Sequence, residues 1–319
     1  MILLIFLLFF IANAQFNVSS WWVGDIHNPT FPISKLNWKM YTHLHYSGPM
    51  YNTTTGEVYC NKTDHDFHHF VHLAHTHNVR VMWGAGETPM TNLIWEMNDL
   101  KINFFKTIGK AMRDCNVDGI EIDYEYSIIA KKQLGIVSFN QSNHYSHFLA
   151  ELKTAVGKDK LVAADISIEG IGKANWILGF LPWINTTMLN RGDFDYVNTM
   201  SYHWSRFGSL WAWKKDMFFI DLWGIDRKRV NIGIPYYSDC PWTHKGGLWK
   251  TLSKICPKID ISENVCDSTV FVGKQMNYEI GQLIRENGFR GAFPWAANYD
   301  SVHFNNSLIK WLHKGLMND

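Results

Sequence analysis

The chain has 319 residues, and its 30 basic and 29 acidic side chains leave a formal net charge of +1 at neutral pH. So even a balance argues against nucleic acid or an anionic membrane surface as partner. The 15 Trp, 13 Tyr and 20 Phe exceed what a core requires and fit a neutral ligand that stacks, such as a sugar.

Residues 1–14 carry no charge, run apolar from Ile2 to Ile11 and end in Ala12-Asn13-Ala14. That small-x-small ending reads as a signal peptide cut before Gln15, although the usual basic residue is missing from its start. The run is shorter than the roughly 20 residues of a spanning helix, and no later stretch is long and apolar enough to span. Sequons at Asn17, Asn52, Asn61, Asn140, Asn185 and Asn305 agree with secretion and a glycoprotein when taken with the leader. Of five cysteines, Cys240, Cys256 and Cys266 fall in one loop-like region that a disulfide can staple in an oxidising compartment. Cys60 stands apart, and Cys115, at a predicted helix end, reads as a buried free thiol. Pairing is not legible from spacing, an odd count leaves at least one cysteine without an intrachain partner, and no spacing fits a zinc site.

In chain order, Trp21-Trp22-Val23 forms a plausible first strand and residues 40–46 a second, which Ser47-Gly48-Pro49 breaks. Residues 51–64 read as a polar loop. Phe67, Phe70, Val71 and Ala74 recur at helical spacing, and residues 79–83 read as the third strand. His68 and His72 stand four apart on that helix, a spacing that can ligate metal, but no acidic or Cys partner completes a set, so they read as a solvated face. No cofactor is implied. After a helix through Ile102 to Met112 comes an acidic strand at 117–126. A helix around Phe148 to Val156 and a fifth strand at 161–166 follow, then a loop with a short helix over 170–180. The sixth strand falls at 195–202, the seventh at 230–235, and residues 237–270 form a long ordered loop. Met276 to Ile284 form a helix that Asn287-Gly288 stops, residues 289–295 the eighth strand, and Leu308 to Leu312 a closing helix.

Eight strands at roughly 30 to 40 residues per unit predict a single-domain (β/α)8 barrel over 15–319. An open doubly wound sheet binding a dinucleotide would need a glycine-rich loop after the first strand, and none is present.

In Asp118-Gly119-Ile120-Glu121-Ile122-Asp123-Tyr124-Glu125 apolar and acidic residues alternate, which puts Glu121, Asp123 and Glu125 on one face of a strand, about 6.6 Å apart in depth. An edge strand with its polar face in water is the alternative to a catalytic stack. Neighbouring carboxylates cannot all ionise, so the stack should hold a proton and keep an acid poised near neutrality. Ordinary glycosidases flank the scissile bond with two carboxylates, whereas these acids share one strand and call for another nucleophile.

This segment closely resembles the Asp-Gly-x-Asp-x-Asp-x-Glu signature of glycoside hydrolase family 18, the chitinases and chitinase-like proteins. Met200-Ser201-Tyr202 resembles that family's Met-x-Tyr, Gly233 to Tyr237 its seventh strand, and Gly291 with Trp295 its eighth. The resemblance implies a secreted, retaining hydrolase of β-1,4-linked N-acetylglucosamine, in chitin or chitooligosaccharides, or else an inactive carbohydrate-binding relative. It implies Glu125 as proton donor, Asp123 as the group that orients the 2-acetamido substituent, Tyr202 as its hydrogen-bond partner and Trp295 as the stacking ring. The acetamido carbonyl itself attacks the anomeric carbon. Tyr236, Tyr237 and Trp83 are further substrate-binding candidates, with Asp118, Glu121, Met200 and His203 in support. Three departures stand out. Glu121 replaces an Asp and adds a methylene to a packed stack, where overpacking costs about 1 to 3 kcal/mol. His203 replaces an Asp, and Trp83-Gly84-Ala85-Gly86 replaces Ser-x-Gly-Gly and puts a large ring near the barrel mouth. The loop after the seventh strand is too short for a large α+β insertion.

Overall fold

The computed structural model describes residues 16–86, 93–94, 99–124, 139–168, 182–201, 209–238, 247–256, 260, 262–266 and 269–318. The leader expected over 1–14, the helix expected within 170–180, and Cys240 lie outside them. Eight parallel strands close on themselves: β1 (Asn17–Trp21), β2 (His43–Ser47), β3 (Arg80–Ala85), β4 (Gly119–Ile122), β5 (Leu161–Ile166), β6 (Tyr196–Thr199), β7 (Val230–Pro235) and β8 (Gly291–Trp295). Each pairs with its sequence neighbours, and β1 pairs with both β2 and β8, Ser20 opposite Leu44 and Val18 opposite Ala292. The chain is thus a single-domain (β/α)8 barrel. Expected strand positions hold with small shifts: the first strand lies earlier than Trp21-Trp22-Val23, and β3 runs on through Gly84 to Ala85.

The outer layer is built by α1 (His65–Thr76), α2 (Asp99–Asp114), α3 (Phe139–Val156), α4 (Thr186–Arg191), α5 (Trp211–Leu222), α6 (Trp249–Ile255), α7 (Lys274–Glu286) and α8 (Leu308–Met317). Their apolar stripes meet the outward residues of the strands. Phe67, Phe70 and Val71 of α1 and Phe104 and Ile108 of α2 join Leu44, Val81, Ile120 and Ile122 in one buried cluster. Local chemistry sets the ends. The Asp64 carboxylate accepts from Phe67 N at 3.0 Å to start α1, and Gly288, at φ +70°, follows the Asn287 cap of α7 as expected. Buried Asp300 accepts from Ser307 Oγ at 2.7 Å, Leu308 N at 2.8 Å and Ile309 N at 3.2 Å, so it fixes the start of α8, and burial raises its carboxyl to about 6.

Several expectations fail here, among them the uninterrupted loop over 237–270, which contains α6. Residues 51–64 are not merely a loop: Met50–Tyr51 and Val58–Tyr59 pair as a short antiparallel ladder laid along α2, with Val58 N donating to Thr107 Oγ1 at 2.8 Å. This docking brings Cys60 to Cys115, and the two form a disulfide across 55 residues, so Cys115 is not a free thiol. A second disulfide, Cys256–Cys266, staples the region after β7, as expected there. Asn17, read as a sequon, is buried in the barrel interior: its Nδ2 meets His43 Nδ1 at 3.0 Å and its Oδ1 accepts from Asn231 Nδ2 at 3.0 Å. No glycan fits there in the folded chain.

Loop entropy ranks the two disulfides. Closing 55 residues restricts the unfolded chain by about 4 kcal/mol, against about 3 kcal/mol for 10 residues. Urea denaturation of Cys60→Ser and Cys266→Ser should therefore show the larger loss in Cys60→Ser.

Candidate active site

Successive side chains of a strand point to opposite faces, and β4 uses this fully. Tyr124, in the outward register, packs its ring 5.6 Å from that of Tyr145 on α3, whose hydroxyl donates to Ile122 O at 3.0 Å. Glu121 takes the other register and is fully buried among side chains of other strands, and half-buried Asp123 follows it. The two acids therefore share a central strand's interior face, not an edge. Glu121 stands opposite Gly84 on β3 and Ala163 on β5. Both neighbours are small, so neither adds a bulky side chain beside the longer acid.

Glu121 is the hub of a polar file across the barrel. Its Oε2 makes a short contact with Nδ1 of His45 on β2, and His45 Nε2 meets Ser19 Oγ on β1 at 2.5 Å. Its Oε1 accepts from Asn198 Nδ2 on β6 at 3.1 Å, and the same nitrogen donates to Asp165 Oδ1 on β5 at 2.9 Å. Asn198 Oδ1 in turn accepts from Asn231 Nδ2 on β7 at 2.9 Å. Five interior strands besides β4 thus contribute to one network around the acid.

Burial disfavours charge on every member. It raises the Glu121 carboxyl from its ordinary 4.5 to about 8, helped by the nearby charge of Asp123 and opposed by hydrogen bonds from neighbours. Burial likewise lowers the His45 imidazole from 6.5 to about 3. At neutral pH the pair is therefore an uncharged acid against an uncharged base. The expected proton in the acid stack sits on Glu121.

Above this file lies an aromatic floor. The Trp295 ring, half-buried at the end of β8, sits 5.3 Å from that of Trp21, which stacks 6.0 Å from the His45 imidazole. Gly84 makes this possible, because a Cβ there would lie 2.1 Å from the Trp21 indole. Trp295, the ring expected to stack beneath a sugar, thus ends β8 beside Trp21.

Other candidates fall elsewhere. Trp83 takes the outward register of β3 and packs 6.4 Å from the Phe67 ring of α1, only 3% exposed, so it does not line the barrel interior. Tyr236 is also corrected: fully buried in the outer layer beyond β7, its hydroxyl is pushed well up by burial and then by the charge of Asp300. Asp118 lies at the N-terminal pole, away from the C-terminal strand ends where barrels do chemistry. It accepts from His75 Nε2 and Val81 N, each at 2.8 Å, and so ties α1 and β3 to β4. Tyr237, in the same register as Asn231, is half-buried just past β7, and Met200 is buried just past β6. Glu125, Tyr202 and His203 lie outside the described residues.

Sequence reasoning missed Ser19, Trp21 as a floor ring, His45, Asp165 and Asn198. A signal was present: Asp165 is a lone acid in Leu161-Val162-Ala163-Ala164-Asp165-Ile166, and His45 alternates with Leu44 and Tyr46. Each polar residue among apolar neighbours marks an inward position, but which of them meet depends on barrel closure.

Against known proteins, the model of the Glycosyl hydrolases family 18 matches residues 17–300. Among solved structures, the chain is similar to a chitinase from Bacteroides thetaiotaomicron, with 19% identity and a TM-score of 0.75 over 96% of this chain and 97% of that one. It is also similar to a family 18 chitinase from Cycas revoluta in complex with (GlcNAc)3, with 15% identity and a TM-score of 0.72 over 94% and 99%. At such identities the likeness speaks for the fold. A chitinase-like effector of Moniliophthora roreri is 25% identical over 149 residues, which is 45% of this chain and 36% of that protein. The match thus spans about a third of that relative's length.

The buried pair gives stability a pH signature. A carboxyl raised on folding contributes fully below 4.5 and loses that contribution as pH rises through 8, while an imidazole lowered on folding contributes fully above 6.5 and loses as pH falls towards 3. Between 4.5 and 6.5 the slopes oppose, so the Glu121 loss is isolated from 6.5 to 8 and amounts to about 2 kcal/mol. Denaturation across this window should show that decline in the wild type and a flatter profile in Glu121→Gln.

Proposed function

Because the chain belongs to the glycosyl hydrolases of family 18, we propose that it is a retaining hydrolase of β-1,4-linked N-acetylglucosamine, acting on chitin or chitooligosaccharides. The observation that carries this reading is the interior stack of Asp123 over a neutral Glu121, roofed by Trp21 and half-buried Trp295. A single column of acids beside an aromatic platform suits a substrate that supplies its own nucleophile. In this mechanism Trp295 stacks beneath the sugar and Asp123 orients the 2-acetamido group. Glu125, two residues on in the sequence, gives its proton to the glycosidic oxygen as the acetamido carbonyl oxygen attacks the anomeric carbon. The leaving sugar departs with that proton. Water then opens the cyclic intermediate from the face the leaving group vacated, Glu125 takes the water's proton, and the anomeric configuration is retained. Tyr202, by the family resemblance, holds the acetamido oxygen.

The family resemblance favours an amino sugar over a plain glucan, because only a 2-acetamido group replaces the missing second carboxylate. The Cycas revoluta relative is in complex with (GlcNAc)3, which agrees with this choice. The apolar leader over 1–14 and two disulfides support placement outside the cytosol, secreted or in the lumen of the secretory or lysosomal pathway.

The test is hydrolysis of the N-acetylglucosamine tetramer between pH 3 and 8. Wild type should release reducing ends, and Glu125→Gln should lose at least about 100-fold in kcat. Trp295→Ala should mainly raise KM, by roughly 3- to 10-fold for a lost stacking contact. Tetramer binding followed by Trp fluorescence without any turnover would assign the chain to the carbohydrate-binding relatives, and neither binding nor turnover would reject an amino-sugar ligand.

A further inference from the structure

His45 has no counterpart in the motifs that led to the site, yet it makes the shortest contact in the barrel interior. The hydrogen-bond directions around it are fixed by its neighbours. Asn198 Oδ1 accepts from Asn231 Nδ2, which leaves Asn198 Nδ2 as the donor to Glu121 Oε1. Oε1 accepts from Asn198 and Asp165 is a further hydrogen-bond partner of the acid, while Oε2 is the oxygen in contact with His45 Nδ1, the one neutral base among these partners, so the proton of the neutral acid is assigned to Oε2. Nδ1 must then accept. A neutral imidazole has one donor and one acceptor nitrogen, so Nε2 carries hydrogen and donates to Ser19 Oγ at 2.5 Å.

We propose that His45 is a positioning residue of the acid stack: by accepting the Glu121 proton at Nδ1 it turns that carboxyl away from Asp123, and leaves Asp123 to carry the negative charge that faces the substrate's acetamido group. The inference rests on the function proposed above, in which Asp123 orients that group. It assigns a task to the Asp-to-Glu departure at 121. The added methylene extends the carboxyl beside Gly84 and Ala163 to a base on β2, and the base and the longer acid act as one unit.

Among the described residues, the groups around the imidazole leave it no competing partner of opposite charge. From β1 come Ser19 and Trp21, from β2 His43, whose charge would oppose a second one here, and from β8 the Phe293 ring at 5.7 Å. Around the acid stand Asp123 on its own chain, Asp165 on β5, and Asn198 with Tyr196 on β6. Among these, Asp123 and Asp165 are the other acids, so a Glu121 proton not held by His45 would be drawn to a neighbouring carboxylate. A proton shared with Asp123 would remove the charge that the sugar's amide needs.

Two substitutions separate positioning from mere packing. In His45→Gln the side-chain carbonyl can still accept from Glu121 and the amide can still donate to Ser19. In His45→Leu the volume is similar but the acceptor is gone. Expected for His45→Leu, folded by circular dichroism, are a fall in kcat of about tenfold or more with little change in KM, and an acid limb of kcat/KM moved up by about one pH unit as Asp123 becomes harder to ionise. His45→Gln should stay within about threefold of wild type with its acid limb unmoved. Equal losses in the two variants, or an unmoved acid limb in His45→Leu, overturn the proposal. A readout independent of turnover is the ¹⁵N spectrum of histidine-labelled resting protein. It should show the His45 ring neutral, with an unprotonated Nδ1, from pH 4 to 7.5. An imidazolium signal in that range overturns the proposal even if the wild type hydrolyses nothing. The expected neutral ring in a protein without turnover would instead place the failure with the hydrolase reading.

Discussion

A carboxyl sunk in the interior of a closed sheet is the constraint from which the rest of this structure follows. Glu121 cannot keep its charge there, so it keeps its proton, and a neutral acid needs an acceptor. His45 supplies one, Asn198 satisfies the second oxygen, and each of these partners is oriented in turn by Ser19 or Asn231. The barrel interior is thus a hydrogen-bonded solid rather than a greasy plug. Hydrogen bonds in such a network support one another, which ties the identity of side chains on six strands to one another.

The division of labour between the two poles follows the same economy of charge. Near the N-terminal ends of the strands, Asp118 and Asp195 have close partners: Asp118 accepts from His75, Asp195 pairs with Lys153 at 2.9 Å, and each accepts from a neighbouring strand's backbone N–H. They pin strands and helices together. Near the C-terminal ends, Asp123 follows the buried Glu121 on the same interior face, and its charge acts on that acid. The same residue type is a brace before β4 and, after it, stands over a buried acid on the interior face.

Much of this was legible in the chain itself. Period-two alternation at Ile120 to Tyr124 gave the strand and its faces, and the eight-unit rhythm gave the barrel, because both signals are local. Closure was not legible. Tyr236 and Tyr237 look alike beside Gly233-Ile234-Pro235, yet Tyr236 is fully buried in the outer layer while Tyr237 stays half-buried at its margin. Trp83 was misread for the same reason, since a ring near a strand end is equally visible on either face. Cys115 was misread because its partner arrives on a ladder that packs across α2, a contact with no sequence signature. His45 escaped notice because a histidine in an alternating strand becomes a proton acceptor only once an acid from β4 is brought to it.

That the first strand closes the ring with the last has a consequence for how the molecule is made. β1 waits, on a ribosome, for more than two hundred and fifty residues before Gly291 arrives to pair with Asn17. The Asn17-Val18-Ser19 triplet in that strand is a sequon. A sugar tree attached there would have to enter the space that His43 and Asn231 occupy. Modification at Asn17 and completion of the ring therefore exclude each other.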